Sequence, residues 1–316
     1  MGVKLLNTFI KTNYPEVIDE NRGFAQLRGS KVAIDISVYL YRFKTLENFV
    51  PSLYRMCNIF VKYEITPIFV FDGSKHEAKN VELNERREKR DNMKEVYECV
   101  SSALDKITED TTRETMIKSM YEIKKNFTHI SYKNIRLAKQ FVKYYGFPYI
   151  FAEKEADEVC GYLYKNNYVD YVMSEDSDLF IYGAQKVIKN VNIENETLDI
   201  YNIDKLIERM EITYQEFITL CILSGCDYYK TRSNIFKNYS KEVWKRFPIM
   251  YKKDRHFRES YLLLTYNDNN NFHTTIQYYL DKLTQKVFET YKNTEKLEKI
   301  LEKYNLMHDI HFLKHH

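Results

Sequence analysis

The chain has 316 residues, of which 44% are hydrophobic, enough to form the core of one large domain or of two. Its 48 Lys and Arg residues nearly balance its 45 Asp and Glu residues. The resulting net charge of +3 does not indicate whether the protein binds nucleic acid, so only the local distribution of charge is informative.

The cysteine content and the hydropathy pattern exclude several further classes of protein. Five cysteines without a Cys-x-x-Cys pair argue against a zinc site and indicate reduced thiols in an intracellular, reducing compartment. No apolar run approaches about 18 residues, so we expect no membrane-spanning helix and no membrane partner. The first residues, Met-Gly-Val-Lys-Leu-Leu, lack the apolar core of a signal peptide.

Short apolar runs predict the strands of an α/β fold. The run Pro67–Gly73 is continuously apolar rather than alternating, which indicates a strand buried on both faces and therefore a parallel sheet. Segments with helical spacing lie between the runs; one follows Ser131 as a cap, and another follows the capping box Thr213-x-x-Glu216. The predicted strands are Lys31–Asp35, Pro67–Gly73, Phe147–Phe151, Tyr168–Met173 and Lys186–Val191.

The stretch from Lys75 to about Phe127 has a different character. Strand signals stop, Gly and Pro are absent, and charged residues dominate. We interpret residues 75–130 as a helical insertion that projects from the sheet. The alternative is a solvated helical hairpin with no role of its own.

Acidic residues recur where the predicted strands end. Because ligand sites in open α/β sheets lie beyond the carboxyl ends of the strands, we expect these acids to meet at one edge. So many carboxylates do not stay ionised together without a cation, and purely oxygen ligands favour Mg²⁺, with Mn²⁺ as a substitute. The alternative for the acids at 155 and 157 is stabilisation of a helix N-terminus. The candidate metal ligands are Asp35, Asp72, Glu155, Asp157, Asp176, Asp178 and Asp227.

Five motifs in order resemble those of the flap endonuclease/XPG-type structure-specific 5′ nucleases. The resemblance runs from Met1 to about Tyr228. In the motif Glu155-Ala156-Asp157 the second acid is Asp157, where the family has Glu. The motifs are Met-Gly-Val-x-x-Leu at the start, Val32-Ala33-Ile34-Asp35-x-Ser37, Phe69-Val70-Phe71-Asp72-Gly73 with Lys79-x-x-Glu82-Leu83-x-x-Arg86, Glu155-Ala156-Asp157, and the pair Glu175-Asp176-x-Asp178 and Leu220 to Tyr228.

This resemblance implies a PIN-like fold with a helical arch and two divalent ions near the seven acids. Such ions, about 3.5–4 Å apart, clamp the attacking and leaving oxygens of a phosphodiester. The resemblance also implies that Lys79 and Arg86 contact the scissile phosphate and that Tyr41 stacks on a base. Their alternatives are surface charge for Lys79 and Arg86, and core packing for Tyr41. Arg87 and Arg90, in the same charged stretch, are further candidates for DNA contact.

A basic segment follows the last motif. Residues 228–258 contain ten Lys and Arg residues against two acids, and aromatic residues are interleaved among them. We interpret the segment as a duplex-binding region; the alternative is a pair of solvated basic helices. The family has a glycine hairpin here, often with a K⁺ ion, whereas this chain has Thr231 to Lys237 without glycine, as diverged poxvirus-like members do. The candidate DNA contacts are Lys230, Arg232, Lys237 and Lys241.

Together these features predict a nuclease domain at 1–227, with the insertion at 75–130, and a helical DNA-binding region at 228–316. The expected activity is Mg²⁺-dependent cleavage of branched or 5′-flapped DNA in replication, repair or recombination, in the nucleus or at a cytoplasmic replication site. The alternatives are a 5′→3′ exoribonuclease of related fold and an inactive DNA-binding scaffold. We expect no sliding-clamp partner, because Gln285-x-x-Phe288-x-x-Tyr291 is too degenerate to be a clamp motif.

Overall fold

A computed structural model of the chain describes residues 2–73, 93–102, 110–231, 235–237, 239–240, 243–244, 247–265, 294–304 and 306. Its centre is one seven-stranded sheet with the order β1-β7-β6-β5-β2-β3-β4. The strands are β1 (Ile18–Gly23), β2 (Lys31–Asp35), β3 (Thr66–Phe71), β4 (Tyr149–Phe151), β5 (Tyr171–Met173), β6 (Lys186–Asn192) and β7 (Thr197–Asn202).

Five neighbouring strands, β6, β5, β2, β3 and β4, run parallel, as the apolar runs predict. The sheet is nevertheless mixed, because β7 and β1 add two antiparallel strands at one edge. Neither of these two strands was among the predicted ones. The helices that flank the described sheet are α1 (Leu6–Asn13), α2 (Ile36–Thr45), α3 (Phe49–Lys62), α4 (93–102), α5 (Asp110–Phe127), α6 (Tyr132–Tyr144), α7 (Ala156–Lys165), α8 (Ile203–Met210), α9 (Tyr214–Ser224), α10 (Phe247–Lys253), α11 (Arg255–Thr265) and α12 (Thr294–Lys303).

Both faces of the sheet are buried, so the molecule has three layers. Ala33 of β2 faces a core shared with α1, α7 and α9, whereas Val32 and Ile34 face a second core shared with α2, α3 and α6. The continuous apolarity of the central strands has its explanation here, since each alternate residue enters a different core.

The predicted helix starts are confirmed at two capping boxes. Ser131 and Asn134 exchange bonds at the start of α6, and Thr213 and Glu216 do so at the start of α9. Within the charged insertion, the described residues 93–102 and Asp110–Phe127 are helical. Thr128, just past α5, accepts a bond from Thr45 of α2 at 3.1 Å, which fixes the end of the insertion to the sheet layer. No helix in the described part of the chain is long and apolar enough to cross a membrane.

Candidate active site

The first acid of the site stands at the end of the central strand β2. Asp35 is buried and serves as the N-cap of α2, accepting a bond from the backbone N–H of Ser37 at 3.1 Å. Its second oxygen, Oδ2, accepts a bond from the Ser174 hydroxyl at 3.0 Å. The Ser174 Oγ in turn accepts a bond from the backbone N–H of Asp176 at 3.2 Å. One buried serine therefore joins the acid of β2 to the acidic loop after β5.

That acidic loop holds two aspartates in a tight turn. The backbone N–H of Asp178 donates to Oδ1 of Asp176 at 3.1 Å, and Asp178 begins a short 3₁₀ turn that ends at Phe180. Only 2% of Asp178 is exposed. Gly2 packs directly on this loop, because a Cβ at that position would lie 2.1 Å from Asp176 Oδ1. The N-terminal segment therefore lies directly against this loop.

Asp72, one residue past β3, joins its strand to the helix that carries two further acids. Its Oδ1 accepts a bond at 2.9 Å from the backbone N–H of Ala156, the first residue of α7. Gly73 approaches the same connection so closely that a Cβ would lie 1.9 Å from the carbonyl oxygen of Ala152. Asp157 lies in the first turn of α7 and is packed so tightly that its Oδ1 is buried without a hydrogen-bond partner in the described residues.

Mutual repulsion among the aspartates shows that they converge. Burial, and then the charge of Asp72, raises the pKa of Asp35 to about 8, although the bond from Ser174 opposes this shift. Burial also raises the pKa of Asp157 well above its usual range, and the next causes are the charges of Asp35, Asp176, Asp72 and Asp178. The structure therefore brings five of the seven predicted acids together at one edge of the sheet.

Glu155 and Asp227 lie beside this group in different settings. Glu155 is the N-cap residue of α7, but its side chain makes no cap bond and instead accepts a bond from the Tyr228 hydroxyl at 2.8 Å. Asp227 follows the end of α9. Burial is the main cause that raises the pKa of the Cys226 thiol, and the charges of Asp178 and Asp227 raise it further. Both carboxylates therefore lie near that sulfur.

A buried lysine accompanies the acids and was missed in the sequence. Lys189 of β6 is 2% exposed, and its Nζ donates to the backbone oxygen of Glu175 at 2.7 Å. Burial lowers the pKa of Lys189, while the charges of Glu175 and of the nearby aspartates oppose that shift. Its burial could have been predicted from its position two residues after Val187, since alternate residues of a strand share a face.

Only some of the proposed nucleic-acid contacts are described. Tyr41 is 46% exposed, which excludes core packing as its role. Lys230 and Lys237 are exposed, and Ile235–Lys237 forms a 3₁₀ turn in which Phe236 is buried. The interleaved aromatic residues Phe236 and Phe257 are core residues. Outside the described residues lie Lys79, Arg86, Arg87, Arg90, Arg232, Lys241 and the degenerate motif at 285–291.

Comparison with protein families identifies the chain. The XPG N-terminal domain matches residues 1–93, and the XPG I-region matches residues 146–227. A flap endonuclease 1 of Encephalitozoon cuniculi is 31% identical over 253 residues, which are 74% of this chain and 70% of that protein. The chain belongs to the flap endonuclease/XPG family. It spans only about half of some relatives, such as the flap endonuclease 1 of Theileria annulata, which is 28% identical over 78% of this chain and 50% of that protein.

Solved structures of the family share the fold. Flap endonuclease-1 from Methanococcus jannaschii aligns with a TM-score of 0.56 and 24% identity over 78% of this chain and 81% of that one. The catalytic core of Rad2, solved in complex with a DNA substrate, aligns with a TM-score of 0.56 and 20% identity over 89% of this chain and 80% of that one. The predicted PIN-like α/β architecture is therefore confirmed.

The donor set suits a hard divalent cation. The five aspartates repel one another, and a positive charge placed among them stabilises them. Asp157 also has a buried oxygen that accepts no bond from the described residues. In the described part of the chain, however, no three acidic, histidine or cysteine side chains already stand close enough to hold one ion together. The site is thus a cluster of acidic oxygen donors at the carboxyl edge of the sheet.

Proposed function

We propose that the chain is a structure-specific DNA nuclease that hydrolyses phosphodiester bonds near 5′ ends, flaps or junctions, in DNA replication, repair or recombination. The observation that carries this proposal is the convergence of Asp35, Asp72, Asp157, Asp176 and Asp178 at the carboxyl edge of the sheet, where burial and the charges of their neighbours raise the pKa of Asp35 and Asp157. A protein that only binds DNA gains nothing from such a group, because its charge repels phosphate and weakens folding.

The cofactor of the proposed reaction is a pair of Mg²⁺ ions, with Mn²⁺ as a substitute. When bound, such a pair supplies charge to the attacking and leaving oxygens of an in-line phosphodiester hydrolysis. The support in this chain is the purely oxygen donor set and the buried Oδ1 of Asp157. The proposed ligands are Asp35, Asp72, Glu155, Asp157, Asp176, Asp178 and Asp227.

Other side chains hold and orient the nucleic acid in this proposal. Tyr41, exposed on α2, the helix that follows β2, stacks on a base next to the cut, a contact worth about 1–3 kcal/mol. Lys79 and Arg86, seven residues apart in the sequence, offset charge on the scissile phosphate. Arg87 and Arg90 extend the same basic stretch.

Branched DNA is the proposed substrate because the similar proteins include a flap endonuclease and nucleases solved with DNA. The Encephalitozoon relative is a flap endonuclease, Rad2 was solved with a DNA substrate, and GEN1 was solved with Holliday junction DNA. In this chain we assign residues 1–227 to the nuclease domain and residues 228–316 to the duplex-binding region. Its five free cysteines fit an intracellular, reducing compartment.

The decisive experiment compares a 5′-flap DNA with an RNA single strand of matched sequence. A labelled 5′-flap DNA and a matched RNA single strand are incubated with the protein and Mg²⁺, and the products are sized. We expect cleavage of the flap DNA and little of the RNA; cleavage of the RNA alone would favour the exoribonuclease alternative. A panel of nicked, gapped and four-way-junction DNA then ranks the preferred structures.

Mutation of one aspartate tests the acidic cluster itself. Asp178→Ala should lower the cleavage rate by several orders of magnitude while DNA binding, measured by fluorescence anisotropy, stays near that of the wild type. The control is Asp19→Ala, which removes a carboxylate on the edge strand β1, away from the cluster. Near-normal turnover of Asp178→Ala at saturating Mg²⁺ would refute the two-metal proposal.

A further inference from the structure

A chain of hydroxyl groups leads to Glu155 from outside the aspartate cluster. The Tyr182 hydroxyl donates to the Tyr228 hydroxyl at 2.6 Å, and the Tyr228 hydroxyl donates to Glu155 Oε2 at 2.8 Å. Tyr228 is buried, and its ring meets that of Tyr182 edge-on with the centroids 6.5 Å apart. The carboxylate of Glu155 is therefore held by a short, shielded series of hydrogen bonds.

Three separate segments of the chain supply these groups. Tyr182 follows the 3₁₀ turn that begins at Asp178, Tyr228 follows Asp227, and Glu155 precedes α7. A fourth segment joins them from the helical region, because the buried hydroxyl of Ser260 in α11 donates to the backbone oxygen of Tyr228 at 2.8 Å. The position of Tyr228 is thus set jointly by the acidic loops and by α11.

The direction of the hydrogen bonds makes the Tyr228 hydroxyl the donor and the Glu155 carboxylate the acceptor. Burial, and then the neighbouring Tyr228, raises the pKa of Tyr182 well above its usual range, so its hydroxyl keeps its proton and donates it. A hydroxyl that accepts one bond while donating another becomes a stronger donor, since hydrogen bonds in series polarise one another. Tyr228 is therefore a strong donor to the carboxylate.

The Glu155 side chain meets this tyrosine partner outside its own helix. It is the N-cap residue of α7, yet its side chain makes no cap bond there, and the first N–H of the helix is taken by Asp72. A bond from Tyr228 reduces the rotamer freedom of the long Glu155 side chain.

We infer that Tyr228 is a positioning residue that orients the Glu155 carboxylate toward the aspartate cluster and ties this orientation to α11 through Ser260. The inference rests on the proposed function, in which Glu155 is a metal ligand. Partners that orient a metal ligand typically contribute about 10–100-fold to metal affinity or activity. Tyr228 then makes the C-terminal helical region part of the metal site.

The test measures metal binding without DNA. Mn²⁺ is titrated into the full-length protein by calorimetry, and the thermal midpoint Tm is recorded for each variant. Tyr228→Phe removes only the hydroxyl, and we expect its Kd for Mn²⁺ to rise about 10-fold. Tyr182→Phe leaves the bond to Glu155 in place but weakens it, and a rise of about 2–3-fold is expected, by analogy with the modest cooperativity of such bonds.

The adjacent tyrosine provides the matched control. The hydroxyl of Tyr229 donates at 2.8 Å to Asp254, which caps α11 through the backbone N–H of Phe257. Tyr229→Phe therefore removes one tyrosine hydroxyl from the same loop without touching Glu155. We expect its Kd for Mn²⁺ to equal that of the wild type even where its Tm falls.

Two results would overturn the inference, and they are distinguishable from each other. If the wild type binds Mn²⁺ and both Tyr228→Phe and Tyr182→Phe bind it equally well, Tyr228 has only a structural role and the proposed function stands. If the wild type binds no Mn²⁺, the proposed function fails and this inference fails with it. Should Tyr228→Phe not fold, Tyr182→Phe and Ser260→Ala decide the question by the same measurement.

Discussion

Lys189 is the one buried basic side chain in the part of the chain that the structure describes, and its neighbours account for its burial. Its Nζ donates to Glu175, directly before Asp176, and lies 5.5 Å from the ring centroid of Phe180. Its charge lies among those of Glu175, Asp176, Asp157 and Asp178. Lys189 therefore offsets part of the repulsion within the acidic cluster.

Replacing Lys189 by Met should destabilise the metal-free protein by roughly 3–5 kcal/mol, because the carboxylates lose a buried counter-charge. The loss should shrink when Mn²⁺ is added, since the metal then supplies the missing charge. Urea unfolding with Mn²⁺ and with chelator measures both values. The control is Lys62→Met, whose exposed ammonium pairs with Glu196. An equal loss with and without Mn²⁺ would assign Lys189 to packing alone.

Asp35 gives the metal-free protein a defined pH dependence. The folded protein keeps the proton of Asp35 up to a pKa of about 8, whereas an unfolded chain releases it near a pH of about 4. The folded state thus binds more protons between these limits, so the free energy of unfolding should fall as the pH rises through this window. Urea unfolding in chelator at several pH values measures the slope.

Asp35→Asn should flatten that slope, because the amide does not titrate, whereas Asp19→Asn on the edge strand β1 should leave it unchanged. A free energy of unfolding that rises between about pH 5 and pH 8 in the metal-free wild type would contradict the assignment of a raised pKa to Asp35.

At the level of strands and helices, the sequence predicted the elements whose burial is uniform. The central strands β2 and β3 are apolar runs buried on both faces, and the ends of all five parallel strands differ from the predicted ones by a few residues at most. The antiparallel strand Ile18–Gly23 was missed because only Ile18 is buried and its remaining residues are polar or glycine. Such a strand forms through pairing with Thr197–Asn202, which local pattern does not reveal.

The site likewise has one part that the sequence predicts and another part that it does not. The convergence of the aspartates follows from one rule, that parallel strands deliver their carboxyl ends to one edge, and so it was predictable. The bonds of Ser174, Lys189 and Tyr228 join elements distant in sequence and obey no local pattern. The bulge after Lys189, where Asn190 has a φ of 51°, interrupts the alternation only beyond that residue, so the pattern indicates the face of Lys189 but not its partner.

Helix α7 depends on a glycine for its close approach to the acidic turn. A Cβ at Gly161 would lie 2.4 Å from the backbone oxygen of Tyr182, so no side chain fits without movement of the helix. Gly161→Ala should destabilise the protein by about 1–3 kcal/mol through overpacking and should displace Asp157 from the Asp178 turn. Urea unfolding and the Kd for Mn²⁺ measure the two effects.

Gly23 supplies the control for that substitution, because a Cβ there meets nothing within 4 Å and its φ of −79° is open to any residue. Gly23→Ala should be neutral or stabilising by about 0.4–1 kcal/mol. Equal stability of the two alanine variants would show that α7 adjusts without cost and that the close approach is not required.

Across the whole molecule, charge is segregated although its total is small. The acids lie at one edge of the sheet, while residues 228–258 hold ten Lys and Arg residues against two acids. In the described part of this segment the aromatic side chains Tyr229, Phe236 and Phe257 pack inward, and the ammonium groups of Lys230 and Lys237 lie on the surface. A basic surface supported by an aromatic core suits binding of phosphates by side-chain charge alone, since the sequence has no glycine hairpin there.

The duplex-binding role of this basic segment predicts a change in salt dependence. Replacing Lys230, Arg232, Lys237 and Lys241 by Ala should weaken binding to every duplex substrate alike, because bonds to phosphates position the DNA without reading its sequence. The slope of log affinity against log salt should flatten by up to ~0.9 for each phosphate that is no longer neutralised. Fluorescence anisotropy across a salt series measures this slope.

The control for this variant removes four basic residues from the amino-terminal edge of the strands, namely Arg28, Lys31, Lys62 and Lys165. Equal slopes in both quadruple variants would move the duplex site elsewhere on the molecule.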